Sequence, residues 1–247
     1  MMDKKIKLVL SYDGSIYHGW QIQQNAFTLQ AVVEDRLEKM LGVPVRVFAS
    51  GRTDAGVHAL EQVAHFTTSS PMDPETMCKG LNALLPEDIL VKQASYVSAD
   101  FHARYSVRTK AYEYRILNAD APDIFQRNYL WHIRRRLDIG KMRRCLSTLV
   151  GCHDFSSFKS AGSENRNPVR TIHRAELFSG NDGLIRITIE ADGFLRHMVR
   201  NIVGTLVEVG RGKMTATRFV EILESGDRRL AGPKAPARGL FLVTVNY

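Results

Sequence analysis

The chain has 247 residues, 44% of them hydrophobic, and a formal net charge of +8 at pH 7. This apolar content supports a packed core and excludes a disordered chain, and the length suits one large domain or two modest ones. The excess of 34 Lys and Arg over 26 Asp and Glu favours an acidic partner, nucleic acid first and an anionic membrane second.

The cysteine pattern and the start of the chain indicate a setting for the protein. Cys78, Cys145 and Cys152 show neither a disulfide framework nor the paired spacing of a metal site. The first residues lack the apolar core of a signal peptide, and no run of about 18 apolar residues predicts a membrane span. We therefore expect a protein of the reducing cytoplasm without a bound metal.

The first half of the sequence predicts alternating strands and helices. In chain order these are a strand over 6–12, a helix over 29–41 that follows Thr28 and ends at Gly42, an extended apolar run over 43–48, a strand over 63–67, a helix that begins at Pro74 and stops at Pro86, and a strand over 89–96. Such an order is typical of an α+β layer in which helices pack on an antiparallel sheet.

The second half predicts a similar mixture. Its elements are a strand over 110–117, an amphipathic helix over 138–150 with Met142, Leu146, Leu149 and Val150 facing inward, a polar loop over 165–168, a hairpin of strands over 169–179 and 184–191, a helix over 217–225 and a last strand over 239–247. No Pro-rich or Gly-rich linker separates the halves, so we expect any two subdomains to share one continuous sheet.

The stretch 49–59 reads Ala-Ser-Gly-Arg-Thr-Asp-Ala-Gly-Val-His-Ala. Two glycines flank its centre, where they allow positive φ and the close approach of a ligand. In an extended centre, Arg52 and Asp54 project to the same side, and a neighbouring cation favours the ionised form of a carboxylate. The alternative is ordinary turn chemistry, in which Asp54 closes a turn that a glycine follows.

Two aromatic stretches have two interpretations each. The apolar aromatic and paired amides of 17–23, Tyr-His-Gly-Trp-Gln-Ile-Gln, suit contact with bases or with the loop itself, but the sequence alone favours a structural loop tied down by amide hydrogen bonds. Tyr112 and Tyr114 share one face of the 110–117 strand. Core packing is the ordinary role of such tyrosines, and the alternative is a platform on which an RNA base stacks.

The stretch 192–204 predicts a strongly apolar helical face with Arg200 on a different stripe. A buried Arg needs a partner, because its charge is costly to bury alone. The candidates are a nearby carboxylate, Asp192 or Glu208, and the loop carboxylate of Asp54.

Positive charge is concentrated in three arginine clusters, at 134–136, 143–144 and 228–229. Each cluster is either a solvated face or a contact for RNA phosphates, and the sequence does not separate the two.

Several of these motifs together resemble the tRNA pseudouridine synthase A family. They are the Gly-Arg-Thr-Asp-Ala-Gly-Val-His-Ala loop, Gly-Trp-Gln-x-Gln, the basic-x-Tyr-x-Tyr strand, His-Met-Val-Arg-Asn-Ile-Val-Gly and Ala-Pro-Ala-Arg-Gly-Leu, within a resemblance that runs from residue 12 to residue 247. One departure lies at Arg166-Asn167, where the family carries Arg-Thr.

The resemblance implies a fold and an activity. The expected fold is α+β, with two ferredoxin-like or RNP-like subdomains over 1–104 and 105–247, a shared continuous antiparallel sheet, helices on one side and an RNA-binding cleft between them. The expected activity is isomerisation of uridine to pseudouridine in the anticodon stem and loop of tRNA, at positions 38, 39 and 40. The resemblance also implies a homodimer with one tRNA across both subunits, and the reaction calls for no cofactor.

The resemblance also assigns roles to particular residues. Asp54 is the essential catalytic carboxylate, Tyr112 stacks on the target base and Arg200 holds the carboxylate. Arg52 is expected to occupy the place that the base leaves or to contact its phosphate, and Leu240 to line the pocket. By the same comparison, Tyr114 is structural.

Three other functions fit parts of the pattern. A non-catalytic RNA-binding module would share the charge and the aromatics, but it gives no reason for a carboxylate in an anion-binding site. A synthase acting on another RNA is opposed only weakly, by the order of the motifs. A nucleotide-binding enzyme is disfavoured because the loop lacks the closing Gly-Lys-Ser/Thr of a P-loop and contains an Asp that would repel phosphate.

Overall fold

The structure is a computed structural model that describes residues 3–160 and 167–247. Its contacts divide the chain into unit 1, Met1–Arg108 with Phe241–Tyr247, and unit 2, Thr109–Leu240. The division expected from the sequence, 1–104 and 105–247, differs mainly in the last residues. These belong to unit 1 because the final strand pairs with a strand of that unit.

The elements of the described residues follow one another in mixed α and β order. They are β1 Lys4–Tyr12, α1 Leu29–Leu41, β2 Phe48–Ala49, β3 His58–Thr68, α2 Pro74–Leu84, β4 Ile89–Val97, β5 Thr109–Leu117, β6 Trp131–His132, α3 Ile139–Ser147, β7 Gly151–Asp154, β8 Val169–Ser179, β9 Leu184–Ala191, α4 Met198–Gly210, α5 Ala216–Ser225 and β10 Leu240–Asn246, with three short 3-10 turns. This confirms the expected α+β class.

Unit 1 contains a sheet in the order β4-β1-β3-β10, with the short β2 paired to β3. The β1 strand is antiparallel to both of its neighbours, whereas β10 runs parallel to β3.

Both helices of this unit have the starts or ends that the sequence predicts. The α1 helix stops at Gly42, whose φ is 75° and whose N–H donates to Glu38 O at 2.8 Å. The α2 helix starts at Pro74, where the Asp73 side chain accepts from Thr76 N.

Unit 2 contains a sheet in the order β5-β9-β8-β7, with β6 parallel to β5. The β8 and β9 strands form the predicted hairpin. The α3, α4 and α5 helices pack against one another, and α3 also packs on β8. Every residue of α4 except Glu208 is buried, and Gly204 lies so close to the chain that an added Cβ would be 1.7 Å from Pro233 O.

Two local expectations are wrong. The 43–48 run forms a strand only at its end, in β2. Val150, expected to face inward, is 46% exposed. The α3 helix ends at Ser147, and the following N–H groups bond three residues back, Leu149 to Leu146 and Val150 to Ser147. A tighter turn changes the angle between successive side chains, which rotates Val150 off the buried face.

Two other expectations from the sequence concern a membrane span and the departure from the family pattern. Within the described part of the chain, no helix is both long and apolar enough to cross a membrane. The residue that departs from the family pattern, Asn167, is described, and its Oδ1 accepts from Val169 N at 2.9 Å, whereas Arg166 lies outside the described residues.

Candidate active site

The loop that contains Asp54 connects β2 to β3 in unit 1. Residues 52–54 have no regular structure, and a turn follows in which Val57 N donates to Asp54 O at 3.1 Å. Of the two flanking glycines only Gly56 has a left-handed backbone, with φ 75°. Arg52 is exposed and Asp54 is half-buried, while Thr53 between them is buried. This alternation matches the predicted extended centre with Arg52 and Asp54 on the outer side.

A buried polar network holds the loop from beneath. The hydroxyls of Tyr12 and Thr53 are hydrogen-bonded at 2.8 Å. Gln62 donates to Gly51 O at 2.9 Å and accepts from the Ser50 hydroxyl at 2.7 Å. Burial raises the pKa of the Tyr12 phenol to about 12, so the network is made of neutral groups. Buried and hydrogen-bonded partners of this kind fix the backbone on either side of Arg52.

The stretch 17–20 holds the same loop through its backbone. Trp20 N donates to Thr53 O at 3.0 Å, and Gly56 N donates to Tyr17 O at 3.3 Å. Gly19 has φ 90°, and a Cβ added there would lie 2.6 Å from Thr53 O. Contact with the loop is one of the alternatives stated from the sequence for this stretch, and the glycine of the Gly-Trp-Gln motif makes the close approach.

A second close approach lies at Gly14, where an added Cβ would be 2.0 Å from Val57 O. Gly14 N donates to Nδ1 of the buried His58, whose ring stacks on Phe241 at 4.7 Å. The structural interpretation of the paired amides holds for Gln23, whose side chain donates to His18 O at 2.9 Å.

The predicted tyrosines lie on β5 of unit 2. Tyr112 is 9% exposed and meets Phe194 edge to face, with 5.0 Å between ring centroids. Tyr114 is fully buried, and its hydroxyl donates to Pro236 O at 2.7 Å. Burial raises the pKa of the Tyr114 phenol, which keeps it neutral. These contacts agree with a structural role for Tyr114.

Arg200 lies in the first turn of α4 and is 8% exposed. Its Nε donates to Ala235 O at 2.9 Å, and Ala235 N donates back to Arg200 O. Of the carboxylates considered as partners, Glu208 binds Arg211 at 2.8 Å and Lys213 at 3.5 Å. The pairing of Arg200 with Asp54 stays a prediction.

A residue that sequence reasoning missed precedes α4. His197 has φ 62°, a left-handed backbone that costs a non-glycine residue roughly 1–3 kcal/mol. Its Nδ1 is hydrogen-bonded to the Ser160 hydroxyl at 2.8 Å, which ties the start of α4 to the residues that follow the 3-10 turn at 156–158. No pattern in the sequence signals a strained backbone at a histidine.

The predicted site residues therefore fall in two places. Arg52 and Asp54 belong to unit 1, and Tyr112, Arg200 and the buried Leu240 belong to unit 2. Among the described residues, no group of three or more His, Cys, Asp and Glu side chains could hold a metal ion.

Comparisons with known proteins give a consistent picture. A family model described as tRNA pseudouridine synthase matches residues 8–106 and 146–247. The tRNA pseudouridine synthase A of Thermoanaerobacter sp. (strain X514) is 45% identical over 244 residues, which are 99% of this chain and 100% of that protein. The protein of the same name from Halalkalibacterium halodurans is 47% identical over 239 residues, which are 96% of this chain and 90% of that protein.

Among solved structures, a chain of the archaeal box H/ACA sRNP Nop10-Cbf5 complex is 13% identical, and the match covers 91% of this chain and 59% of that one, with a TM-score of 0.35. That similarity is too low to bear on the fold. Arg52, Asp54, Arg200 and Leu240 lie within the two stretches that the family model matches, and Tyr112 lies between them. Because the model matches most of the chain and relatives match nearly all of it, the chain belongs to the tRNA pseudouridine synthase family.

Proposed function

We propose that this chain isomerises uridine to pseudouridine in the anticodon stem and loop of tRNA, with Asp54 as the essential carboxylate. The observation that carries the proposal is the placement of Asp54, half-buried in a loop that Tyr12 and Gln62 hold from beneath. A reacting group needs such a fixed position, because misplacement by about 1 Å can cost roughly 100-fold in rate.

The chemistry explains why a carboxylate is sufficient. The N1–C1′ bond of uridine breaks, the base turns while it stays bound, and a C5–C1′ bond forms. The C5 proton leaves, and N1 gains a proton, so substrate and product have the same formula. No oxidant, group donor or cofactor is needed for this balance. The Asp54 carboxylate either attacks C1′, attacks C6 or removes a ribose proton, and all three routes use its ionised form.

The remaining site residues have proposed roles around the base. The target uridine must leave its stack to reach Asp54, which costs a few kcal/mol. Stacking on Tyr112 offsets part of this cost, and the exposed Arg52 contacts the vacated place or its phosphate. Arg200 holds the Asp54 carboxylate, and Leu240 lines the pocket for the base.

The direct test is to map pseudouridine in tRNA from cells with and without this protein. We expect pseudouridine on the 3′ side of the anticodon arm to disappear when the protein is removed and to return with the wild-type gene. Unchanged tRNA with loss of pseudouridine in another RNA would identify a different substrate. Unchanged RNA of every kind would favour a non-catalytic binding module.

Tyr112 offers a test of base binding. Tyr112→Phe is expected to keep most of the affinity for tRNA, since the ring remains, whereas Tyr112→Ala is expected to lose about 1–3 kcal/mol. Equilibrium binding measures both, and melting curves must accompany it because the ring packs on Phe194. Equal losses in the two variants would mean that the hydroxyl, and not the ring, contributes the affinity.

The assembly is proposed from the family resemblance alone. We propose a cytoplasmic homodimer that binds one tRNA across both subunits. Light scattering of the protein with and without tRNA measures the number of chains, and a single chain per tRNA would contradict the dimer.

A further inference from the structure

The three arginine clusters of the sequence have different surroundings in the structure. In the 228–229 cluster, Arg229 binds both carboxylate oxygens of Asp227, with its Nη2 at 2.7 Å. Arg228 donates to Asn201 Oδ1 at 3.0 Å. In the 143–144 cluster, Arg143 donates to Leu177 O at 3.3 Å. Each of these two clusters therefore has at least one arginine with a partner within the protein, although the exposed Arg144 side chain forms neither a hydrogen bond nor a salt bridge with the described residues.

The cluster at 134–136 differs from both. All three side chains are exposed. Toward the residues that the structure describes, their guanidinium groups form neither a hydrogen bond nor a salt bridge, in contrast to the paired arginines elsewhere in unit 2. Three adjacent cations that form no salt bridge with a described carboxylate repel one another, which favours an anion as an outside partner.

The backbone that carries these arginines is fixed by one side chain. Asn118 donates to Ile133 O at 2.7 Å and to Arg135 O at 2.9 Å, and its Oδ1 accepts from Leu137 N at 3.0 Å. An amide side chain that binds three backbone groups across five residues replaces the regular pairing that a strand would supply.

Both ends of the segment are also anchored. Ile133 N donates to Leu117 O at 2.8 Å, and Asp138 N donates to Gly210 O at 2.8 Å. The flanking Ile133 and Leu137 side chains are 3% and 4% exposed. The chain between them therefore presents its arginines from a fixed backbone, which lowers the ordering cost when a ligand binds.

The surface beside the segment has room for a ligand. Arg134 and Arg136 line a cavity of about 590 Å³ together with Asn118, Asp120 and residues 179–181. Asp138 also lines it, but this carboxylate already accepts from Lys141 N and pairs with the Lys141 ammonium. The lining thus offers two arginines and the carboxylate of Asp120, which does not bind Lys141. This combination suits a ribose-phosphate chain, because the phosphate accepts from arginine and a ribose hydroxyl can donate to Asp120.

We propose that Arg134, Arg135 and Arg136 bind the phosphate backbone of tRNA at a site built from unit 2 alone. The inference rests on the proposed function, since it takes tRNA as the ligand. The segment lies outside the two stretches that the family model matches. Arginine suits this role because its planar donors bind phosphate oxygens in pairs.

The test replaces all three arginines, Arg134→Gln, Arg135→Gln and Arg136→Gln, and measures tRNA binding between about 50 and 200 mM salt. We expect the slope of log Kd against log salt to become less steep by about 2 to 3 units, since each neutralised phosphate contributes roughly 0.7 to 0.9. At saturating tRNA, kcat should stay near that of the wild type while KM rises about tenfold or more.

The matched control removes three paired cations, Lys79→Gln, Arg218→Gln and Arg229→Gln, which bind Glu75, Glu221 and Asp227. Its change in net charge is the same, yet its slope should change by less than about one unit. Replacing the three clustered arginines by Lys should restore most of the slope, because the charge returns.

A wild-type slope in the Gln variant, or an equal change in the control, would overturn the inference. The double variant Arg134→Gln and Arg136→Gln, which changes the two arginines that line the cavity, should give about two thirds of the change, and it answers the question if the triple variant melts early. The binding measurement does not depend on turnover. A wild-type protein that binds tRNA but forms no pseudouridine would therefore contradict the proposed function without contradicting this binding site.

Discussion

Asp54→Asn is expected to reduce pseudouridine formation to background while the protein still binds tRNA. The substitution keeps the size and shape of the side chain, and it removes the charge and the nucleophile on which all three chemical routes depend. Affinity for tRNA should persist or rise, because a negative charge leaves a surface that faces phosphates. Release of tritium from C5-labelled uridine measures the reaction itself, since that hydrogen leaves only after C5 bonds to ribose.

The control for this variant is Asp100→Asn, which removes an exposed carboxylate of the same unit. It should leave the rate of tritium release unchanged. The Asp54 variant should also remain folded, since an Asn can close the same turn before Gly56. A melting curve is needed because Arg200 would lose its proposed partner. A folded Asp54→Asn protein with the normal rate of release would exclude Asp54 as the catalytic carboxylate.

Gly19→Ala is expected to have the second largest effect, on both stability and turnover. Its φ of 90° already disfavours any side chain, by roughly 1–2 kcal/mol in left-handed backbone. The added Cβ would also lie 2.6 Å from Thr53 O, so the loop must move. Because Asp54 follows Thr53 directly, we expect turnover to fall about 100-fold.

Gly42→Ala separates the two causes. Gly42 has φ 75°, but a Cβ added there meets nothing within 4 Å. This variant should lose about 1–2 kcal/mol of unfolding free energy and keep the wild-type turnover. Melting curves and initial rates of both variants make the comparison. Equal turnover in the two variants would show that the contact of Gly19 with the loop does not position Asp54.

Local signals in the sequence are enough to place most elements. Gly42 ends α1 because its left-handed backbone satisfies the last carbonyls, and Pro74 after Asp73 starts α2. The Asn-Asp-Gly turn at 181–183 separates β8 from β9 at the predicted residues. These signals depend on residues that are only a few positions apart, so a short stretch of sequence is enough to recognise them. The motifs are likewise short strings, and together they indicate the family that the family model confirms.

The family resemblance also identifies the candidate site residues from the sequence. A carboxylate beside a cation in a glycine-flanked loop is visible as a string, and so is a pair of tyrosines on a strand. Their surroundings are not visible in this way. The Tyr12–Thr53 and Gln62–Gly51 bonds join residues 41 and 11 positions apart, which no local pattern encodes.

Tertiary structure alone decides the remaining points. It places the last strand beside β3 and exposes Val150, because the direction of a chain after a turn depends on long-range packing. It also distinguishes the arginine clusters, which are alike as sequence. Arg229 forms a salt bridge with Asp227. The side chains of 134–136 are exposed, and Asn118, directly after β5, holds the backbone that carries them. The sequence determines the type and order of the elements, since those depend on nearby residues. Which charges are paired, and which backbone carries the carboxylate, depends on contacts that only the folded chain creates.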